Sequence, residues 1–233
     1  MEERFSRYGA LIGEEGIAKL RASKVAVFGV GGVGGEAIIA LARAGIGHLV
    51  VIDHDVVAPS NLNRQVVATR STLYETKVEI IKKMILDVSE DCIVESHDVF
   101  FEEKNKEDFD FASYSYVIDA IDSIDAKVAL IKTCSEKGVP IISALGAGNK
   151  THPEMLQIAD IYQTSVDPLA RVMRTRLRKI GIPSLKVVYS LEEPYKVNLE
   201  EGGRRKAIPG SSPFVPNAMG LILASAVCED LLK

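Results

Sequence analysis

The stretch KVAVFGVGGVGGEAIIALARAGIGHLVVID, residues 24–53, decides the fold. Lys24 to Val30 is a short, Val-rich apolar run, the pattern of a strand buried on both faces. The glycines that follow open a segment whose apolar residues recur at helical spacing through Ala44, where Gly45 and Gly47 stop it. His48 to Asp53 is a second buried strand. Strand, glycine turn, helix and strand make a βαβ unit, whose crossover is right-handed almost without exception.

Working outward, a short helix is expected upstream at Glu14 to Leu20. Downstream the pattern repeats: a helix at Thr76 to Val88, a strand at Ile93 to Val99, a strand at Tyr116 to Ala120 and a helix at Ile124 to Lys137. Gly138 ends that helix and Pro140 opens the strand PIISALG. The alternation predicts an α/β fold, a Rossmann-like doubly wound, mainly parallel sheet with helices on both faces. Past Gly148 the character changes. LQIADIYQ and LKVVYSLE read as strands flanking a helix from Pro168 to Lys179, and a last helix runs from Asn217 to Leu232. Residues 194–213, rich in Gly, Pro and charge, read as a mobile loop. The expected organisation is a nucleotide-binding region over residues 1–150, with residues 151–233 as a substrate-facing C-terminal extension of the same domain.

A chain of 233 residues, 47% hydrophobic and 26% charged, has ample material for a buried core and an ordinary soluble composition. Its net charge of -4 gives no whole-chain electrostatic case for nucleic acid or membrane, so a local patch would have to supply one. Cys92, Cys134 and Cys228 lie far apart without a CxxC pair, which argues against a zinc site or a disulfide framework and for a reducing cytoplasm. The charged N-terminus has no apolar core of a signal peptide. The apolar run from Ala218 to Val227 is about half the roughly 20 residues a membrane span needs, so a buried helix and no membrane are expected.

The chemistry starts at Gly29-Val-Gly31-Gly32-Val-Gly34. A tight strand-to-helix turn needs unusual backbone angles, and phosphates must touch bare main chain at a helix N-terminus. Following a strand and opening a helix is the context that separates this motif from a turn that binds nothing. Asp53, at the end of the second strand, stands where a carboxylate would accept hydrogen bonds from a ribose, or it serves as a turn former. Asp55 reads as a nearby helper or a second turn residue. So far a nicotinamide-dependent dehydrogenase fits equally well. The separation comes from Ser60-Asn61-Leu62-Asn63-Arg64-Gln65 and Lys77. A dinucleotide needs no such cation set, whereas Arg64 and Lys77 would offset the charge developing on pyrophosphate as an α-phosphate is attacked. Asn61 would position the ribose or a phosphate oxygen, with Asn63 and Gln65 in the same nucleotide-binding stretch. Asp122 follows the strand YVIDA, at the strand end where such sheets bind ligands, and a carboxylate facing a triphosphate is a natural magnesium ligand. Capping of the next helix is the competing role for Asp119 and Asp122, with Ser123 as a rival cap.

Taken together, GxGGxG, the D-x-D-x-V-x-x-S-N-x-x-R-Q stretch, the downstream Lys77 and the A-x-D element resemble the ubiquitin-activating superfamily and its bacterial HesA/MoeB/ThiF family. The resemblance implies ATP and Mg as cofactors, with Asp53, Asn61, Arg64, Lys77 and Asp122 as their residues. It also implies that Arg7, in RFSRYGALIG, reaches a partner subunit's site, and hence a homodimer. The stretches DPLARVMRTRLRKIGI, VVYSLEEP and PGSSPFVPNAMGLILASAV are similar to the branch of that family acting on tRNA. That likeness implies an ATP-dependent dehydratase that adenylates the threonyl carboxylate of a modified adenosine and promotes its cyclisation. The alternative is adenylation of the C-terminal glycine of a ubiquitin-like sulfur carrier, and a sulfur-transfer protein is a further candidate partner. Arg171, Arg174, Arg176, Arg178 and Lys179 on one helix, with Arg204, Arg205 and Lys206 beyond, form a basic cluster suited to a phosphate backbone or to a solvated face paired with acids. The resemblance favours tRNA. Adenylation needs positioning and electrostatics more than a protein nucleophile, so no general base is assigned. Cys134 and Cys228 are expected to be buried in helices. His152 either approaches the site or is a loop residue without a role.

Overall fold

A computed structural model describes residues 2–197 and 209–233 of the chain. Strand alternation splits the core between the two faces of one sheet. In β1 (Lys24–Phe28), β2 (His48–Asp53) and β4 (Tyr116–Asp119), Val25, Val27, Leu49, Val51, Tyr116 and Ile118 point to one face. Ala26, Phe28, Val50, Ile52 and Val117 point to the other. With β3 (Ile93–Asp98), β5 (Ile141–Ala144), β6 (Leu156–Asp160) and β7 (Lys186–Ser190), the seven strands lie in the order β3-β2-β1-β4-β5-β7-β6. Neighbours are parallel except β6, which runs antiparallel to β7 on the edge.

The first face is covered by α1 (Ser6–Ala22), α2 (Gly34–Ala44), α3 (Lys77–Val88) and α6 (Val215–Leu232), and the second by α4 (Ile124–Lys137). The remaining helix, α5 (Pro168–Lys179), packs Ala170, Met173 and Leu177 against α4 and β7. The expected doubly wound sheet, with helices on both faces, is the fold observed. Gly45 and Gly138 end α2 and α4 in the left-handed conformation, as read from the sequence.

Three elements differ from expectation. The first helix begins at Ser6 rather than near Glu14, because glycines interrupt its apolar pattern and Gly13 kinks it at φ 77°. Between β3 and β4 no α-helix covers the sheet. Short 3-10 turns bring Phe101, Phe109, Phe111 and Tyr114 around Phe28, with the Phe28 and Phe101 centroids 5.0 Å apart, edge to face. Such ring pairs contribute ~0.5–1.5 kcal/mol each beyond burial. The strand starting at Leu156 ends at Asp160, where Asp160 accepts from Tyr162 N and caps a 3-10 turn.

Residues 198–208 of the expected mobile loop lie outside the described residues; its flanks are tied down. Tyr195 N donates to Asn149 O at 2.8 Å and Asn149 N donates to Gly210 O at 2.7 Å. The last helix is 18 residues long with a mean hydropathy of 1.4, long and apolar enough to cross a membrane. Half of it is buried, and Met219, Leu223 and Val227 are fully enclosed against α2 and the sheet, as in a core helix. Its far end is docked by Asp230, which accepts from Lys186 at the start of β7 and from Tyr116 at the start of β4.

Candidate nucleotide-binding site

The C-terminal ends of β1, β2, β3 and β4 surround a cleft of about 240 Å³. Its floor is the turn between β1 and α2. Gly29 sits at φ 99°, and a Cβ there would stand 2.5 Å from the carbonyl oxygen of Ala120. A Cβ on Gly34 would overlap the carbonyl oxygen of Gly29. Packing alone therefore demands glycine at both positions. Gly31 is different: a Cβ there would meet only Gln65 Nε2, at 3.9 Å, so its missing side chain leaves the cleft open. The walls are Ile52 to Asp55 from β2, Val99 to Phe101 after β3, Ala120 to Asp122 after β4, and Arg64, Gln65 and Lys77 from the crossover into α3.

Asp53 shapes this floor. Its Oδ2 accepts from Val30 N at 2.6 Å and its Oδ1 from Asp55 N at 2.8 Å, which leaves further lone pairs on both oxygens for a ligand hydroxyl. Asp55 has a partner that the sequence did not reveal, since Lys77 Nζ lies 2.7 Å from its Oδ2. Lys77 is 4% exposed, at the first position of α3, and its own N–H donates to Asp55 O. Val57 and Tyr74 to Glu75 add main-chain bonds that close the crossover into a loop.

That loop presents Arg64 half-buried. Its Nη1 donates to Ser60 O at 2.8 Å and Asn63 Oδ1 at 2.9 Å, and among the described residues no carboxylate pairs with it. Burial lowers its pKa from the ordinary guanidinium value, so holding the charge there is costly and a phosphate would offset the cost. Gln65 is 8% exposed, and its Oε1 is buried without a partner. Asn61 and Asn63 do not line the cleft. Asn61 Oδ1 accepts from Ala58 N at 3.0 Å, and Asn63 Nδ2 donates to Ser211 O at 2.8 Å. Both build the loop that carries Arg64.

Asp122 is exposed at the cleft edge with no partner among the described residues, and Ser123 makes no side-chain cap. One free carboxylate beside a phosphate site suits magnesium, which takes one or two protein carboxylates and completes its shell from phosphates and water. Arg7 lies exposed on α1 and does not line the cleft of its own chain. On α5, Arg174 bonds Thr164, Arg176 pairs with Asp125, and Arg178 covers the Tyr162 ring at 5.0 Å. Arg171 and Lys179 are exposed. The basic helix is thus partly anchored, with one of its charges matched by an acid among the described residues. Arg204, Arg205 and Lys206 lie outside the described residues. His152 pairs with Glu154 at 2.8 Å and stands apart from the cleft. All three cysteines are free and buried, and burial raises the thiols of Cys92 and Cys228 to about 11.

Behind the cleft lies a cluster the sequence reading missed. Asp119 and Lys127 are both fully buried and paired at 2.8 Å, with Ser143 beside them. The signal was a lysine in the apolar stripe of α4, three residues before Leu130 and seven before Cys134. A second buried pair, Lys150 with Asp167 at 2.7 Å, ties the loop after β5 to the first turn of α5 through Asp167 and Ala170 N.

A bare glycine turn, a buried lysine and an arginine without a carboxylate partner among the described residues, at the C-terminal edge of a doubly wound sheet, define a nucleotide-binding α/β protein. The ThiF family description matches residues 5–179, and the chain belongs to that family. It is 43% identical to the tRNA threonylcarbamoyladenosine dehydratase of Bacillus subtilis, with 100% of this chain and 96% of the relative aligned. The Haemophilus influenzae protein of the same name is 39% identical over 100% of this chain and 94% of its own length. The crystal structure of the Escherichia coli dehydratase TcdA in complex with ATP superimposes with a TM-score of 0.90 at 31% identity, covering 99% of this chain and 94% of that one.

Proposed function

We propose that this chain is an ATP-dependent dehydratase acting on threonylcarbamoyladenosine in tRNA. The observation that carries the reading is that its likeness to dehydratases spans the whole chain, including the C-terminal part beyond residue 150. ATP lies on the glycine turn with its ribose at Asp53. A threonyl carboxylate oxygen attacks the α-phosphorus, and the bond to the bridging oxygen breaks. Arg64 and Lys77 neutralise the departing pyrophosphate. A nitrogen of the same modification then attacks the acyl carbon, AMP leaves and a ring closes, so the net change is loss of water. Lys77 reaches the phosphates by leaving or sharing Asp55. Asp122 would hold magnesium, which would supply positive charge beside the phosphates.

The finer assignments belong to the same proposal. Residues 1–150 form the ATP-binding part and 151–233 the tRNA-facing part, with the exposed Arg171 and Lys179 of α5 meeting phosphates and Arg174, Arg176 and Arg178 beside them. Arg7, exposed and away from its own cleft, would contribute to a second copy's site, and the proposed working unit is a homodimer in the cytoplasm. A sulfur-transfer partner finds no exposed thiol on this chain. The test is pyrophosphate release from labelled ATP with modified tRNA and, separately, with a ubiquitin-like carrier protein. Release with the tRNA is expected; release with the carrier alone would overturn the reading.

A further inference from the structure

Asp119 and Lys127 have no contact with solvent. Lys127 Nζ donates to Asp119 Oδ2 at 2.8 Å, to Ala144 O at 3.0 Å and to Ser143 Oγ at 3.2 Å. Ser143 Oγ donates to the same Oδ2 at 2.5 Å. The other oxygen, Oδ1, accepts from Ile121 N at 3.2 Å. One side of the carboxylate is thus anchored to α4 and β5. The opposite side holds the peptide N–H of the residue just before Asp122. Ala120, in between, is fixed by its own N–H to Phe28 O at 2.8 Å.

Replacing a buried ion pair by apolar residues of similar size is often neutral or stabilising, so stability gives this chain little reason to keep one here. What an apolar pair does not supply is an acceptor for Ile121 N–H. We infer that Asp119, braced by Lys127 and Ser143, is a positioning residue that sets where the Asp122 carboxylate stands, and so tunes the affinity for magnesium-bound nucleotide. The inference rests on the metal role proposed for Asp122. Hydrogen-bond partners behind a metal-binding side chain typically govern 10–100-fold in affinity, and this network stands in that relation to Asp122 through the main chain.

The test compares two double variants of the full chain. Asp119→Leu with Lys127→Met removes charge and acceptor together. Asp119→Asn with Lys127→Met removes the charges and keeps a carbonyl for Ile121 N–H. Magnesium is titrated calorimetrically in the presence of ATP, with thermal melting in parallel. The Leu/Met variant is expected to bind magnesium about 10–100-fold more weakly, and the Asn/Met variant close to the parent. Parental affinity in a folded Leu/Met variant overturns the inference, as does equal loss in both. Asp122→Asn is titrated alongside: unchanged affinity there overturns the metal reading and the inference with it, whereas loss there with none in Leu/Met overturns the inference alone. If Leu/Met does not fold, amide exchange of the parent decides, because Ile121 N–H must be protected without ATP and rapid exchange overturns the proposal.

Discussion

Two glycines of the same turn are expected to fail for different reasons when a single methyl group is added. At Gly29 the left-handed backbone disfavours any side chain by about 1–2 kcal/mol. The new Cβ would stand 2.5 Å from Ala120 O, where contacts below 3.0 Å force movement, and such overpacking costs ~1–3 kcal/mol. A total of ~2–5 kcal/mol lowers Tm by about 10 °C in a chain of this size. At Gly31 the nearest atom would be 3.9 Å away, an ordinary contact, so the empty protein tolerates Gly31→Ala with Tm unchanged or slightly raised. Its methyl would project into the cleft, though, where a phosphate must meet main chain. ATP affinity is expected to fall at least about tenfold, equivalent to ~1.4 kcal/mol. Melting curves with and without ATP, together with calorimetric binding, read both quantities. Parental ATP affinity in Gly31→Ala would remove the phosphates from the glycine turn, and a parental Tm in Gly29→Ala would refute the packing argument.

Arg64→Ala and Lys77→Ala should each cut pyrophosphate release by ~10²–10³-fold. Circular dichroism should be unchanged, because Asp55, the acid left behind by Lys77→Ala, is half exposed and water can solvate it; a shared loss of secondary structure would move both residues from catalysis to folding. The native protein should not react with a thiol reagent at pH 8 and should react at all three cysteines once denatured, since burial keeps Cys92 and Cys228 titrating at about 11 and raises Cys134 still further; rapid labelling in the folded state would reopen a sulfur-accepting role. Burial pushes the Asp230 carboxyl up, but hydrogen bonds from Lys186, Lys233 and Tyr116 outweigh it and bring the group down to about 2. Its folded value lies below the unfolded one of ~3.9, so its stabilisation is full above pH 4 and is lost as pH falls toward 2. Asp230→Asn should therefore lower Tm at pH 7 and match the parent at pH 2; a constant difference across that window would deny the pairing.

What was legible followed from periodicity. Short apolar runs defined all seven strands and most of the helices, and the five central strands tolerate little else because both of their faces are buried. Gly29, Gly31, Gly32, Asp53, Arg64, Gln65, Lys77 and Asp122, all picked out in the sequence, line one cleft. The missing parts depend on partners remote in sequence. That Asn61 and Asn63 bond Ala58 and Ser211 is decided by how the crossover folds back, and no spacing rule reports it. Residues 99–115 read as nothing regular because their order comes from rings meeting across the sheet, without a helical or strand repeat. Lys127 could have been found: a cation in an apolar stripe implies a buried acid. Which acid it meets is fixed only when α4 lies over β4.

Phe28 and Phe101 belong to the cleft wall and to the ring cluster beneath it. Nucleotide recognition and the cohesion of that flank are therefore one thermodynamic unit. Loosening at Tyr114, which reaches the cleft only through Phe111 and its neighbours, would register as poorer ATP retention before any sign of global unfolding. Occupancy by ATP would in turn protect the ring-packed flank against heat and proteases.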